Sequence, residues 1–233
     1  MIRCKLASIG MRSEGSGVLE VFIAMALFVG SHVLIARTGV KAWTTAKVGR
    51  RAYLTLYSLL SIGMMAWVVI AILRAERITL WDTPAWAYPF AIFVTAIGFA
   101  LIGAGAATPN PISVAFRGGT LDPERPSIVG VFRHPIVWGL GLWGLAHIPS
   151  NGDWPSLFLF AGSALFAAIG TVALDRRYKR QLGVETWLTF AKTRPGIRRS
   201  ELIGGLALLV LWLGLLMAHP WLFNADPLAQ WLL

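Results

Sequence analysis

The chain has 233 residues, 56% hydrophobic and only 14% charged, with a formal net charge of +10 at pH 7. Soluble domains carry about 25% charged residues, and so few leave too little polar surface to cover a water-soluble core of this size. The basic residues lie beside apolar spans, which favours membrane orientation over a nucleic-acid partner; the lone Cys4 excludes an internal disulfide or a cysteine metal cluster.

Runs free of Asp, Glu, Lys and Arg cover 52–73, 83–116, 154–174 and 202–225. Since about 20 apolar residues cross the hydrocarbon core, each run is long enough to span it. In chain order the pattern predicts an N-terminal tail over 1–16, then spans at 17–35, 52–73, 86–107, 130–149, 154–174 and 201–219. Glu20 interrupts the first span, and Arg133-His134-Pro135 sits at the start of the fourth. Residues 220–233 form a tail too short for a seventh span, suited to the interface through Trp221 and Trp231. The expected fold is an all-α integral membrane bundle of about six transmembrane helices, with residues 17–219 as its transmembrane domain.

Basic residues alternate between loops. The 36–51 loop carries Arg37, Lys41, Lys47, Arg50 and Arg51; the 107–133 segment carries Arg117, Arg125 and Arg133. The 175–200 loop carries Arg176, Arg177, Lys179, Arg180, Lys192, Arg194, Arg198 and Arg199, so sixteen of 21 basic residues fall on one side. That side is expected to be cytoplasmic, with both termini outside, in a bacterial inner membrane. Arg3, Lys5 and Arg12 pull the N-terminus the other way, a conflict that nearly disappears if translation starts at Met11. No small-x-small cleavage site follows the first apolar run, so a membrane helix is preferred there to a signal peptide. Glycines within the spans, among them Gly98, Gly103 and Gly139, are expected to let helix backbones approach closely.

Ionisable groups within a membrane are costly and draw functional attention. His32 falls near the cytoplasmic end of the first span, and His134 near the cytoplasmic end of the fourth. His147 lies ~20 Å from His134 along the same helix, so those two do not share a metal ion. Two imidazoles at one depth on separate helices suit haem ligation, with interfacial hydrogen bonding as the plainer alternative. Arg133-His134-Pro135 reads as a helix start, whose free N–H groups and arginine charge favour an anion. Thr108-Pro109-Asn110-Pro111 reads as a helix stop, and Asn110 could add a polar contact at that depth. The 175–200 loop reads as a basic amphipathic segment on acidic headgroups, with Trp187 and Phe190 facing lipid.

Ser31-His32-Val33-Leu34, Gly49-Arg50-Arg51-Ala52-Tyr53, Asn110-Pro111 and the run Arg133-His134-Pro135-Ile136-Val137-Trp138-Gly139-Leu140 together resemble the NnrU family. Leu142-Trp143, Ala146-His147 and Asn151-Gly152-Asp153 extend the resemblance over about residues 17–219. It implies a link to denitrification and nitric oxide metabolism. NnrU proteins are also similar to zeta-carotene isomerase, a membrane haem enzyme, which implies haem b with His32 and His134 as iron ligands, Arg133 and Asn110 beside the cofactor, and a possible hydrophobic small-molecule substrate. A wider resemblance to isoprenylcysteine carboxyl and phospholipid methyltransferases implies S-adenosylmethionine as the alternative cofactor. Arg133, His134, Pro135 and Gly139 match that pattern, with Asp175-Arg176, Gly183 and Thr193-Arg194 matching loosely further on. Val137, Thr186 and Thr189 stand where it has tyrosines. A non-catalytic accessory membrane protein is the third expectation.

Overall fold

The computed structural model describes residues 16–232. Cys4, Arg3, Lys5, Arg12 and the alternative start at Met11 lie outside them. The described residues form α1 (Ser16–Arg37), α2 (Val40–Arg74), α3 (Ala87–Ala106), α4 (Pro135–His147), α5 (Trp154–Leu182), α6 (Val184–Ala191), α7 (Arg199–Phe223) and α8 (Pro227–Leu232), with a 3-10 turn at Ile128–Gly130. The fold is all-α and bears out the membrane bundle. α1, α2, α3, α5 and α7 are each long and apolar enough to cross a bilayer. Their outward faces keep large apolar side chains exposed, including Ile62, Phe93 and Val210, as lipid-facing surface requires.

Three elements differ from the sequence expectation. The fourth span shrinks from 130–149 to the 13 residues of α4, ~20 Å long against a core of ~30 Å. Pro135 fixes its first turn, and the chain before it is drawn into the 3-10 turn at 128–130. The expected basic loop at 36–51 is largely helical, because α2 begins at Val40 and kinks at Gly49 (φ 83°, ψ 160°), a backbone conformation that suits glycine. At the other end, α7 continues through Pro220 to Phe223, then stops at Asn224 in the left-handed region (φ 53°) before the short α8.

The described helices gather into two compact units, residues 16–78 with Asp153–Pro155, and Thr79–Gly152 with residues 156–232. In the first, α1 packs on α2 and buries Val21, Ala24, Met25, Tyr53, Val68 and Ala71. Glu20, the charge that interrupts the first apolar run, accepts a hydrogen bond from Trp67 Nε1 of α2 at 3.3 Å. A polar side chain inside a span thereby gains a partner on the neighbouring helix.

In the second unit α3 is the central helix, packed against α4 on one side and α7 on another. Both contacts depend on missing side chains. A Cβ on Gly103 would collide with the Gly204 carbonyl oxygen, and one on Gly204 with that of Gly103. The same holds between Gly98 of α3 and Gly139 of α4. Trp212 Nε1 of α7 donates to the buried Thr95 Oγ1 of α3 at 2.9 Å, fixing the register of the α3–α7 pair.

Gly103→Ala should therefore force α3 and α7 apart and cost about 1–3 kcal/mol, as overpacking does. Gly30→Ala in α1 puts its methyl where nothing lies within 4 Å and should leave stability unchanged or slightly raised by helix propensity. Thermal unfolding in detergent reads both; equal midpoints for the two variants would contradict the close approach described.

Candidate functional site

The polar cluster of the second unit starts where α3 stops. After Ala106 the Thr108-Pro109-Asn110-Pro111 turn cannot continue a helix. Asn110 is buried there: its Oδ1 accepts from Ile112 N at 3.1 Å and its Nδ2 donates to the Arg133 carbonyl at 2.8 Å. One side chain thus ties the turn after α3 to the residue that precedes the N-cap of α4.

Pro135 is the first residue of α4, and His134 is its N-cap without capping the helix through its side chain. The ring turns instead to two other partners and is 1% exposed. Its Nε2 lies 2.9 Å from Asp175 Oδ1 of α5, and its Nδ1 lies 2.9 Å from Ser113 Oγ. His134 precedes α4 rather than lying within a spanning helix. Burial lowers its pKa below the ordinary histidine value, against the raising pull of Asp175. The ring is therefore neutral at physiological pH, with a single N–H. A carboxylate oxygen only accepts, so that hydrogen sits on Nε2 facing Asp175, and Nδ1 accepts from the Ser113 hydroxyl.

Asp175 serves a second donor, because its Oδ2 accepts from Arg133 Nη2 at 3.0 Å. The Arg133 guanidinium carbon also lies 5.6 Å from the ring centroid of Trp187. One turn beyond Asp175, the Tyr178 hydroxyl donates to the Ser113 carbonyl at 3.2 Å. A single face of α5 thus holds the 110–113 turn and the 133–134 segment together. Of the site residues expected from sequence, Asn110, Arg133 and His134 converge here.

His32 belongs to the first unit. Its Nδ1 donates to the Phe28 carbonyl at 2.7 Å, one helical turn back, and its Nε2 lies 3.3 Å from Ser61 Oγ of α2. The ring meets Tyr57 edge-on at 5.4 Å, and Tyr57 stacks on Tyr53. His147 ends α4 with Nδ1 donating to the Trp143 carbonyl at 2.8 Å and its ring stacked on Phe160 at 4.7 Å. His219 lies inside α7 rather than at its end, with Nδ1 donating to the Ala225 carbonyl at 3.1 Å. No group of three or more potential metal ligands occurs among the described residues.

Sequence reasoning missed a second buried carboxylate, Glu201, which is fully buried near the start of α7. Its Oε1 accepts from Thr108 Oγ1 at 2.9 Å and Ser127 Oγ at 2.6 Å; its Oε2 accepts from Ile128 N at 3.0 Å and Arg198 N at 2.8 Å. The signal was the spacing of Arg198 to Glu201, at which an acidic side chain reaches back to the backbone N–H that opens its own helix. Ser113 was also missed, and Asp175 was noticed only as a loose motif match. Yet Asp175 closes a charge-free run of helix length, where an ionisable group draws attention. One expectation is corrected: Trp187 and Phe190 do not face lipid. Trp187 is buried, and Phe190 packs against the cluster of Leu101, Ala104, Leu121, Ile128 and Val129. The amphipathic face of α6 turns inward onto the protein.

Glu201→Ala leaves the Ser127 hydroxyl and the Ile128 and Arg198 N–H groups without this acceptor, while Thr108 keeps the Ala104 carbonyl; it should cost ~3 kcal/mol or more, since each unsatisfied buried donor costs ~1–3 kcal/mol. Glu201→Gln can keep its carbonyl on the two N–H groups and turn its amide toward the two hydroxyls, so it should retain most of the stability. Chemical denaturation in detergent that ranks Gln as low as Ala would contradict this geometry.

Residues 20–227 match the family model for NnrU protein. No curated protein and no solved structure gives a significant match. The match runs from the first spanning helix to the start of α8, and so takes in the turn at Asn110, the Arg133-His134-Pro135 helix start and the Asp175 face of α5. The chain belongs to the NnrU family.

Proposed function

We propose that this NnrU-family protein is a haem-binding protein of the bacterial inner membrane that acts in denitrification or nitric oxide metabolism. The observation that supports it is the state of the two histidines expected as ligands. A ligating imidazole usually donates its other N–H to a carbonyl or a carboxylate, which sets the tautomer and raises basicity. His32 donates from Nδ1 to the Phe28 carbonyl, and His134 from Nε2 to Asp175. A neutral imidazole that donates once keeps its other nitrogen as a lone-pair donor to a metal.

The fit at His134 carries a condition. Its lone-pair nitrogen is Nδ1, and the Ser113 hydroxyl stands 2.9 Å from it. Ligation there requires Ser113 to rotate away, while Asp175 keeps the ring oriented. Arg133, 46% exposed at its side chain and already paired with Asp175, supplies a cation for a carboxylate of the cofactor. Asn110 holds the backbone between them. A haem bound by these residues would supply an iron that takes nitric oxide or an electron.

The absorption spectrum of the detergent-purified protein tests the reading. A Soret band is expected, lost or shifted in His134→Ala and in His32→Ala, and nearly intact in His147→Ala. Ser113→Ala should keep or raise haem content, because it removes the hydroxyl that competes for Nδ1. A colourless wild-type protein after expression with ample haem would overturn the proposal.

The contact of Asp175 with both Arg133 and His134 favours a second reading. It joins the two stretches that the methyltransferase pattern needs in one place, so methyl transfer from S-adenosylmethionine remains the alternative. Arg133→Ala separates the two. Under the haem reading it weakens haem retention, and the remaining bound haem keeps a six-coordinate spectrum. Under the alternative, calorimetry shows S-adenosylmethionine binding to the wild type and none to Arg133→Ala, with no change in any absorption band.

A further inference from the structure

Trp187 stands on α6, the eight-residue helix that follows the positive-φ turn at Gly183. Its side chain is 6% exposed. Its indole N–H is the one buried side-chain polar atom among the described residues without a hydrogen-bond partner. Such groups are normally satisfied, and an exception calls for an acceptor. The charges around the ring indicate what kind. Lys179 Nζ lies 4.1 Å from its centroid, and the Arg133 guanidinium carbon 5.6 Å. Arg133 has Asp175 as its counter-ion, whereas no carboxylate among the described residues lies within ion-pair distance of Lys179. Glu185 is exposed on the first turn of α6.

Lys179 belongs to the last turn of α5, a helix long enough to cross the bilayer, so the pair sits where a spanning helix ends. Val184 and Leu188 of α6 keep exposed apolar side chains next to Trp187 in sequence.

We infer that Lys179 and the Trp187 N–H bind the phosphate of an acidic membrane phospholipid, with Val184 and Leu188 against its acyl chains. The ammonium supplies the charge and the indole a directed donor. Lys179 is also the movable cover: its ammonium lies over the ring, and its flexible stem lets it swing aside to meet the incoming oxygen. A zwitterionic lipid carries its own cation beside the phosphate and competes with Lys179, so the site selects acidic headgroups. The inference is independent of haem or methyl transfer at His134.

Native mass spectrometry of the full chain in detergent, offered phosphatidylglycerol, phosphatidylcholine or inorganic phosphate, tests it. Phosphatidylglycerol adducts should exceed phosphatidylcholine adducts several-fold. Trp187→Phe, which keeps an aromatic ring and removes the N–H, and Lys179→Gln should each abolish most of that preference, and Lys179→Arg should restore it. An indole ¹⁵N spectrum gives a readout on the unaltered protein: one tryptophan N–H, the resonance missing from Trp187→Phe, should shift with phosphatidylglycerol and not with phosphatidylcholine. Equal retention of the two lipids, an undiminished preference in both loss variants, or displacement of phosphatidylglycerol by inorganic phosphate would overturn the lipid site, the last by making it a site for soluble anions.

Discussion

Helices in a bilayer gain nothing from burying apolar side chains against one another, because lipid is equally apolar. What holds the second unit together is backbone approach along α3, at Gly98 against Gly139 of α4 and at Gly103 against Gly204 of α7. Those contacts leave no room for a methyl group. They place the first turns of α4 and α7 close to the C-terminal half of α3, and the polar groups of the unit collect there.

Two carboxylates organise that region in different ways. Glu201 is fully buried and accepts four hydrogen bonds that join the end of α3, the 3-10 turn and the start of α7. With its acceptor capacity used, it is a structural tie of high stakes, since removing it strands the Ser127 hydroxyl and two backbone N–H groups. Asp175 is less buried and takes only Arg133 and His134. It controls the tautomer of one buried ring and the position of one half-exposed cation. That division leaves the Asp175–Arg133 pair partly open to its surroundings and Glu201 closed off.

Lipid also explains how the basic 175–200 segment was misread in part. Its charges and its amphipathic period are as expected for a helix on a membrane surface. An amphipathic helix at an interface, however, can turn its apolar face either to lipid or to protein, and the period is the same in both cases. Here Phe190 of α6 packs against the buried cluster of Leu101, Ala104, Leu121, Ile128 and Val129. The cations Lys179 and Arg133 then lie against the ring of Trp187.

The sequence by itself determined that this is a helical membrane protein, because long charge-free runs have no other stable use. It also determined the helix stop at Pro109–Pro111 and the helix start at Pro135, since proline acts through its own ring and not through its neighbours. Membership of the NnrU family was legible in the motifs around His32, Asn110 and His134. What only the tertiary structure decided was partnership. Asp175 and Ser113 are 41 and 21 residues from His134, and Glu201 is 93 residues from Thr108. Separations of that size carry no periodic signal, so the pairing exists only once α3, α4, α5 and α7 have come together. The tertiary structure also decided where residues 130–134 go: hydropathy extends over 130–149, but the 3-10 turn and the ties of Arg133 and His134 to Asn110 and Ser113 hold those residues in place ahead of α4.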